Sequence, residues 1–177
     1  MNLEDLYPLY DKMQLQYGDP SLHSIYHGGC KERPDFFFVF MNPTGKNLAS
    51  LPGWDGIYAP WIGTKMIWDL FYRVDLLSEE IYLEIKRRKG KEWDPAFARR
   101  VYQDIEKHKV FVSNLGKCTQ IDARPLKDSV FLEYRELLLK EIEIVKPRIV
   151  LLFGNQVSSI LLNQKISVSN KATRSPV

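Results

Sequence analysis

Cysteine is scarce in this chain: Cys30 and Cys118 are its only two among 177 residues. They form no Cys-x-x-Cys pair, so the sequence indicates neither a zinc framework nor a disulfide scaffold. A reducing, cytoplasmic compartment is expected, nucleoid-associated in a prokaryote. Histidine is also sparse, with three residues. His23 and His27 lie four apart, a spacing a metal tolerates, and Cys30 is a conceivable third ligand. The glycines between them loosen that geometry, so no metal is expected. No apolar run approaches the roughly 20 residues of a membrane span, and no membrane partner is expected. The acidic start, Met1-Asn2-Leu3-Glu4-Asp5, lacks the basic-then-apolar order of a signal peptide. There is no internal repeat and no low-complexity stretch. A Gly-x-x-x-x-Gly-Lys-Ser/Thr loop is missing too, which removes support for nucleotide hydrolysis. Charge of one sign is also in short supply: the formal net charge is +3. That balance permits a polyanionic partner without requiring one.

What is present is ordinary for a globular protein: 45% hydrophobic and 27% charged residues. The length fits a single domain over residues 1–177. Aromatics are slightly rich at 12%, enough to furnish stacking surfaces. The organising stretch is Phe36-Phe37-Phe38-Val39-Phe40-Met41, followed by Asn42-Pro43-Thr44-Gly45. A continuous apolar run of aromatic and β-branched residues reads as a strand covered on both faces. Pro43 has no N–H and ends the ladder. Asn42 is thereby delivered at the carboxyl end of a core strand, where open α/β sheets bind ligands.

Helical spacing of Leu3, Leu6, Tyr7, Tyr10, Met13 and Tyr17 predicts a packing helix over residues 3–17, stopped by Gly18-Asp19-Pro20. His23 to Cys30 reads as a loop or short helix. Pro43 to Gly63 is a long loop without secondary structure, holding Trp54, Tyr58 and Trp61. Such loops are often functional, and their aromatics either plug the core or offer a stacking face. Thr64 is placed to cap the next helix, whose buried stripe is Ile67, Trp68, Leu70, Phe71 and Val74. Ser78 caps another helix, which ends in Lys86-Arg87-Arg88-Lys89; a solvated helix end is preferred there over phosphate binding. Asp94-Pro95 starts a third. Val110 to Ser113 is a short strand, from whose end Asn114 emerges ahead of Leu115-Gly116-Lys117-Cys118. Residues 129–145 form a long helix. Arg148 to Phe153 is a strand apolar enough to be central, and Gly154 and Asn155 open a helix through Leu162. Ile166 to Val177 is a candidate strand.

Strands alternating with helices predict a mostly parallel sheet with helices on both faces. Right-handed crossovers then put Asn42, Asn114 and Gly154 along one crevice. Two neutral amides and a set of aromatics suit a planar, uncharged ligand with a donor–acceptor edge, such as a pyrimidine. The competing reading is that the asparagines only bond their own loops.

Four segments, in order over about residues 36–162, resemble the uracil-DNA glycosylase superfamily. Phe40 to Gly45 resembles the first motif of its Asn-Pro branches. Ala59-Pro60-Trp61-Ile62-Gly63 is similar to the Pro-Phe-Val-Gly segment of the family-4 enzymes. Val112 to Cys118 is similar to the segment whose Asn reads the uracil edge, and Lys146 to Gly154 to the late strand and its glycine. The resemblance implies a three-layer α/β/α sandwich and a monofunctional glycosylase acting on uracil, or a related deaminated base, flipped from DNA. It implies that Asn42 orients the water, that Trp61 stacks on the base and that Asn114 reads it, with Met41 and Gly154 also contributing to substrate binding. The alternative is a uracil- or nucleic-acid-binding module with little catalysis. Lys65 and the Lys86–Lys89 cluster are expected to steer a DNA backbone, with affinity falling steeply as salt rises. A monomer acting on DNA is expected.

The sequence departs from the pattern in three ways. Family-4 enzymes hold an iron–sulfur cluster through four cysteines; here Cys118 matches one position and Cys30 is a thiol that can lie near it, so no cofactor is expected. Met41 stands where family 4 has an acidic residue. The superfamily's His-Pro-Ser-like loop has no counterpart before Ser175-Pro176-Val177. Either the sequence is shortened there or that half of the site is lacking.

Overall fold

A computed structural model describes residues 1–123 and 126–167. Among them are four strands and six α-helices. The strands are β1 (His27–Gly29), β2 (Phe36–Phe40), β3 (Val110–Asn114) and β4 (Ile149–Leu152). The helices are α1 (Tyr7–Tyr17), α2 (Met66–Arg73), α3 (Glu79–Arg87), α4 (Pro95–Lys107), α5 (Asp128–Val145) and α6 (Asn155–Leu162). Sheet order is β1-β3-β2-β4. β2 runs parallel to both β3 and β4, while β1 pairs antiparallel with β3.

Alternation of side chains along β2 builds the layers. Phe38 and Phe40 join Val110 and Val112 against α2, α3 and α4. Phe37 and Val39 join Phe111 against α1, α5 and α6. The result is helices on both sides of a mostly parallel sheet. Each face carries its own apolar core, which is why β2 reads as an unbroken apolar run rather than an alternating one.

Several expectations need correction. β4 is an edge strand of the described sheet, with Ile149 half-exposed. Its apolar side chains pack only partly against the cores on the two faces, and they say nothing about its lateral neighbours. His27 to Gly29, read as a loop or short helix, is the antiparallel edge strand β1. Three residues, two of them glycine, carry no period to detect. Gly28 has a packing reason, since a Cβ there would sit 2.2 Å from the Tyr102 ring of α4. The long loop contains a 3-10 turn, Leu48–Ser50, started by the Asn47 side chain. Thr64 does not cap α2; its hydroxyl donates to the Trp61 carbonyl at 2.8 Å. Ser78 makes no side-chain cap either, and its N–H donates to Asp104 Oδ2. Asp94 does cap α4, accepting from Phe97 N–H at 2.7 Å. The strand expected from Ile166 to Val177 falls, beyond Ser167, outside the described residues.

His27 packs on Phe111 and bonds Tyr7 through Nε2 at 2.9 Å. Burial, with the nearby charges of Lys117 and Lys31, holds its pKa well below the usual imidazole value. It is therefore neutral when folded and protonates in the unfolded chain below about pH 6.5. The unfolded state binds the extra proton, so stability falls as pH drops through that value.

Two measurements follow from this packing. In urea titrations Asp94→Ala should lose about 1 kcal/mol, whereas Ser78→Ala should change little. Between about pH 6.5 and 5 the native chain should lose stability more steeply than His27→Phe, by up to about 1.4 kcal/mol per pH unit. Parallel slopes would show that the folded imidazole takes up its proton normally.

Candidate active site

The site is built where β2 and β3 run on together past their ends. Leu115 N–H donates to Phe40 O at 2.7 Å and Gly116 N–H to Met41 O at 2.8 Å. The pairing resumes through Gln120, which donates to Pro43 O and accepts from Gly45 N–H. The segments after the two strands are thereby held side by side. Gly116 allows this approach, because a Cβ there would lie 3.3 Å from Asn42 Cβ and 3.1 Å from the Phe131 ring.

Above this floor lies a pocket of about 120 Å³, lined by Asn42, Asn114 and Trp61 together with Pro43, Thr44, Lys46, Asn47, Pro60 and Thr64. A cavity of about 150 Å³ accommodates benzene, so this volume suits one six-membered ring. Asn42 donates Nδ2–H to Pro43 O at 3.1 Å, which fixes the amide plane and leaves Oδ1 free to accept. Asn114 is buried, yet its carboxamide makes no hydrogen bond among the described residues. Its polar atoms are not among the buried, unpartnered ones, so the amide edge is reachable from the pocket it lines.

The opposite wall is the 59–63 segment, pinned from several directions. Asn47, buried, donates to Ala59 O at 2.9 Å and accepts from Ala49 N–H at 3.0 Å. Tyr102 of α4 donates its hydroxyl to Pro60 O. The Trp61 carbonyl receives Thr64 N–H, the Thr64 hydroxyl and Trp68 Nε1–H. Trp61 itself has φ of 69°, a left-handed conformation unusual for a bulky residue, and its ring packs edge-on against Phe40 at 5.0 Å. Such strain persists where surrounding bonds over-determine the backbone, and here they fix the indole at the pocket wall.

Of the five residues expected at the site, Asn42, Trp61 and Asn114 come together. Met41 and Gly154 do not line the pocket. Met41 follows the alternation to the opposite face, against the α1–α5–α6 core. Gly154 follows edge strand β4, on the other side of β2 from Asn114, and has nothing within 4 Å of where a Cβ would stand. Lys46, Asn47 and Thr64 were not anticipated as pocket residues. Lys46 lies four residues after Asn42 in a glycine-containing loop, and that was the available signal.

Among the described residues the lining holds no carboxylate, imidazole or thiol, and Lys46 is its one charged group. Among the described residues no cluster of three or more His, Cys, Asp or Glu could hold a metal. The two thiols do not fit a shared cluster. Cys30 N–H pairs with Val110 O at the start of β3, whereas Cys118 lies four residues past its end. The expectation that Cys30 lies near Cys118 is corrected by that placement. Of the basic residues, Lys65 Nζ bonds Lys86 O at the end of α3, Lys86 pairs with Asp69, and Arg88 pairs with Glu84.

The fold thus sets two amides and an indole around a ring-sized pocket at the carboxyl edge of a parallel sheet. A family model of the uracil DNA glycosylase superfamily matches residues 58–174, about two thirds of the chain, and the chain belongs to that superfamily. No curated protein matches it. The matched span includes Trp61 and Asn114; Asn42 stands before it and enters the site through the β2–β3 pairing.

Asn47 ties the two walls of the pocket together. Asn47→Ala should cost about 2–3 kcal/mol in urea unfolding, because it leaves Ala49 N–H and Ala59 C=O without partners. A loss below about 0.5 kcal/mol would mean that water or a shifted loop satisfies both groups.

Proposed function

We propose that this chain hydrolyses the N-glycosidic bond of uracil, or a closely related deaminated base, flipped out of DNA. The observation that carries the reading is the convergence of Asn42, Trp61 and Asn114 on one pocket of single-ring size. A base must leave the stack to reach such a pocket. Asn114 can donate Nδ2–H to the uracil O4 and accept the ring N3–H at Oδ1. Cytosine presents the reverse pattern, so an amide held in one orientation rejects it. The Trp61 indole supplies apolar contact and a stacking wall.

Asn42 Oδ1 accepts a hydrogen bond from the attacking water and aims its lone pair at the anomeric carbon. An amide is too weak a base to ionise that water. Scission of the bond to the base therefore runs ahead of attack, through an oxocarbenium-like sugar, as in other glycoside chemistry. Negative charge gathers on the departing base, and Lys46, an exposed residue at the pocket's lining, can bring a cation to it. That no ionisable base lines the pocket among the described residues favours this dissociative route and also leaves room for a second reading, a binding module with little turnover.

The two readings separate in one assay. A uracil-containing oligonucleotide, single-stranded and duplex, is incubated with the chain and abasic sites are cut with alkali. The native chain should yield product, and Asn42→Ala should be slower by about a hundredfold or more. Asn114→Ala should erode uracil-over-cytosine discrimination while leaving DNA affinity nearly intact. Binding without cleavage by the native chain would establish the module instead.

A further inference from the structure

Directly beneath Asn114 lies a charge cluster in the α1–α5 core. Lys117 is 1% exposed and Glu141 is fully buried. The ammonium donates to Glu141 Oε2 at 2.9 Å, to the Asn114 carbonyl at 2.7 Å and to the Ser113 hydroxyl. Ser113 in turn donates to Glu141 Oε2 at 2.8 Å. All three Lys117 donors are therefore used. The Tyr10 ring lies 5.2 Å from the ammonium.

Stability alone does not call for this arrangement. Two charges buried together often stabilise a protein less than apolar side chains of the same volume would. What the pair adds is a connection. Glu141 sits on α5, and through Lys117 it holds the backbone carbonyl of Asn114, whose carboxamide lines the pocket with no partner among the described residues. We infer that Lys117, Glu141 and Ser113 form a positioning unit that fixes the Asn114 peptide, and with it the direction of the carboxamide toward the base. This rests on the reading of Asn114 given above. The three residues touch no substrate and act through Asn114.

The test replaces the pair rather than breaking it. Lys117→Met with Glu141→Leu removes both charges and keeps the core filled; because the buried Ser113 hydroxyl and Asn114 carbonyl lose partners, the melting temperature should fall by about ten degrees while the variant stays folded. Single-turnover uracil release should nevertheless fall about ten- to a hundredfold, with DNA affinity changed less than about twofold, as expected when a reading group is misplaced by a fraction of an ångström or more. The side-chain amide resonances of Asn114, assigned by their loss in Asn114→Ala, should shift or broaden. Glu141→Gln keeps an amide oxygen to accept from Lys117 but leaves the buried ammonium without its counter-charge, so its melting temperature should fall; assayed below that temperature, with the Asn114 carbonyl bond intact, release should stay within about threefold of native.

A folded double variant with native release and native Asn114 resonances would overturn the proposal. So would Glu141→Gln slowing release as much as the double variant, since charge balance and not the carbonyl bond would then matter. If the native chain releases no uracil, the functional reading fails, and the Asn114 resonances alone decide the positioning: unmoved peaks in the double variant overturn it, displaced peaks support it. Should the double variant not fold, Ser113→Ala loosens one Lys117 anchor. It should slow release and displace the same resonances, and no change in either overturns the proposal.

Discussion

The site depends on the continued pairing of β2 and β3 beyond the point where both cease to be regular strands. Two backbone bonds, from Leu115 to Phe40 and from Gly116 to Met41, carry that pairing across the sheet's edge. Backbone bonds are a rigid way to relate two segments far apart in sequence, since they fix register as well as distance. Register is what the chemistry needs here. Phe40 aligns with Asn114, so Asn42 stands two residues further along the same face. A slip by one residue would send one amide into the helical core and leave the other alone.

Much of this was legible in the sequence, for a physical reason. β2 is buried on both faces and followed by Asn-Pro, and burial and ladder termination both leave local marks. β3 left a weaker mark, but its Asn follows an apolar run in the same way. The capped start of α4 was legible because Asp94-Pro95 is a local signal. β1 was not legible, since its existence depends on pairing with β3 and its glycines answer to a ring on α4. The lateral place of β4 was misread because partly covered faces and a central position produce the same composition. Neither Thr64 nor Ser78 caps, because the Thr64 hydroxyl finds the Trp61 carbonyl in its own turn and the backbone N–H of Ser78 finds Asp104 of α4.

The misplacement of Met41 and Gly154 has the same origin. Both stand next to a residue or strand end that the sequence marks, but nearness in sequence is not nearness in space. Period-two alternation sends Met41 away from Asn42. Lys46 was overlooked for the opposite reason: a lysine in a loop reads as solvated surface until the loop's path around the pocket is known.

β3 shows how one strand end serves two environments. Ser113 and Asn114 are consecutive, so their side chains leave opposite faces of the sheet. Ser113 enters the apolar core, where a polar group must be paired, and it is, with Glu141 and Lys117. Asn114 enters the pocket, where a polar group can remain open for a ligand to pair. The backbone of Asn114 is common to both demands, and from the core side Lys117 grips its carbonyl, which lies in the peptide joining Asn114 to Leu115. A displacement in the core cluster therefore cannot remain in the core. It rotates that peptide, and the amide on the far face turns with it.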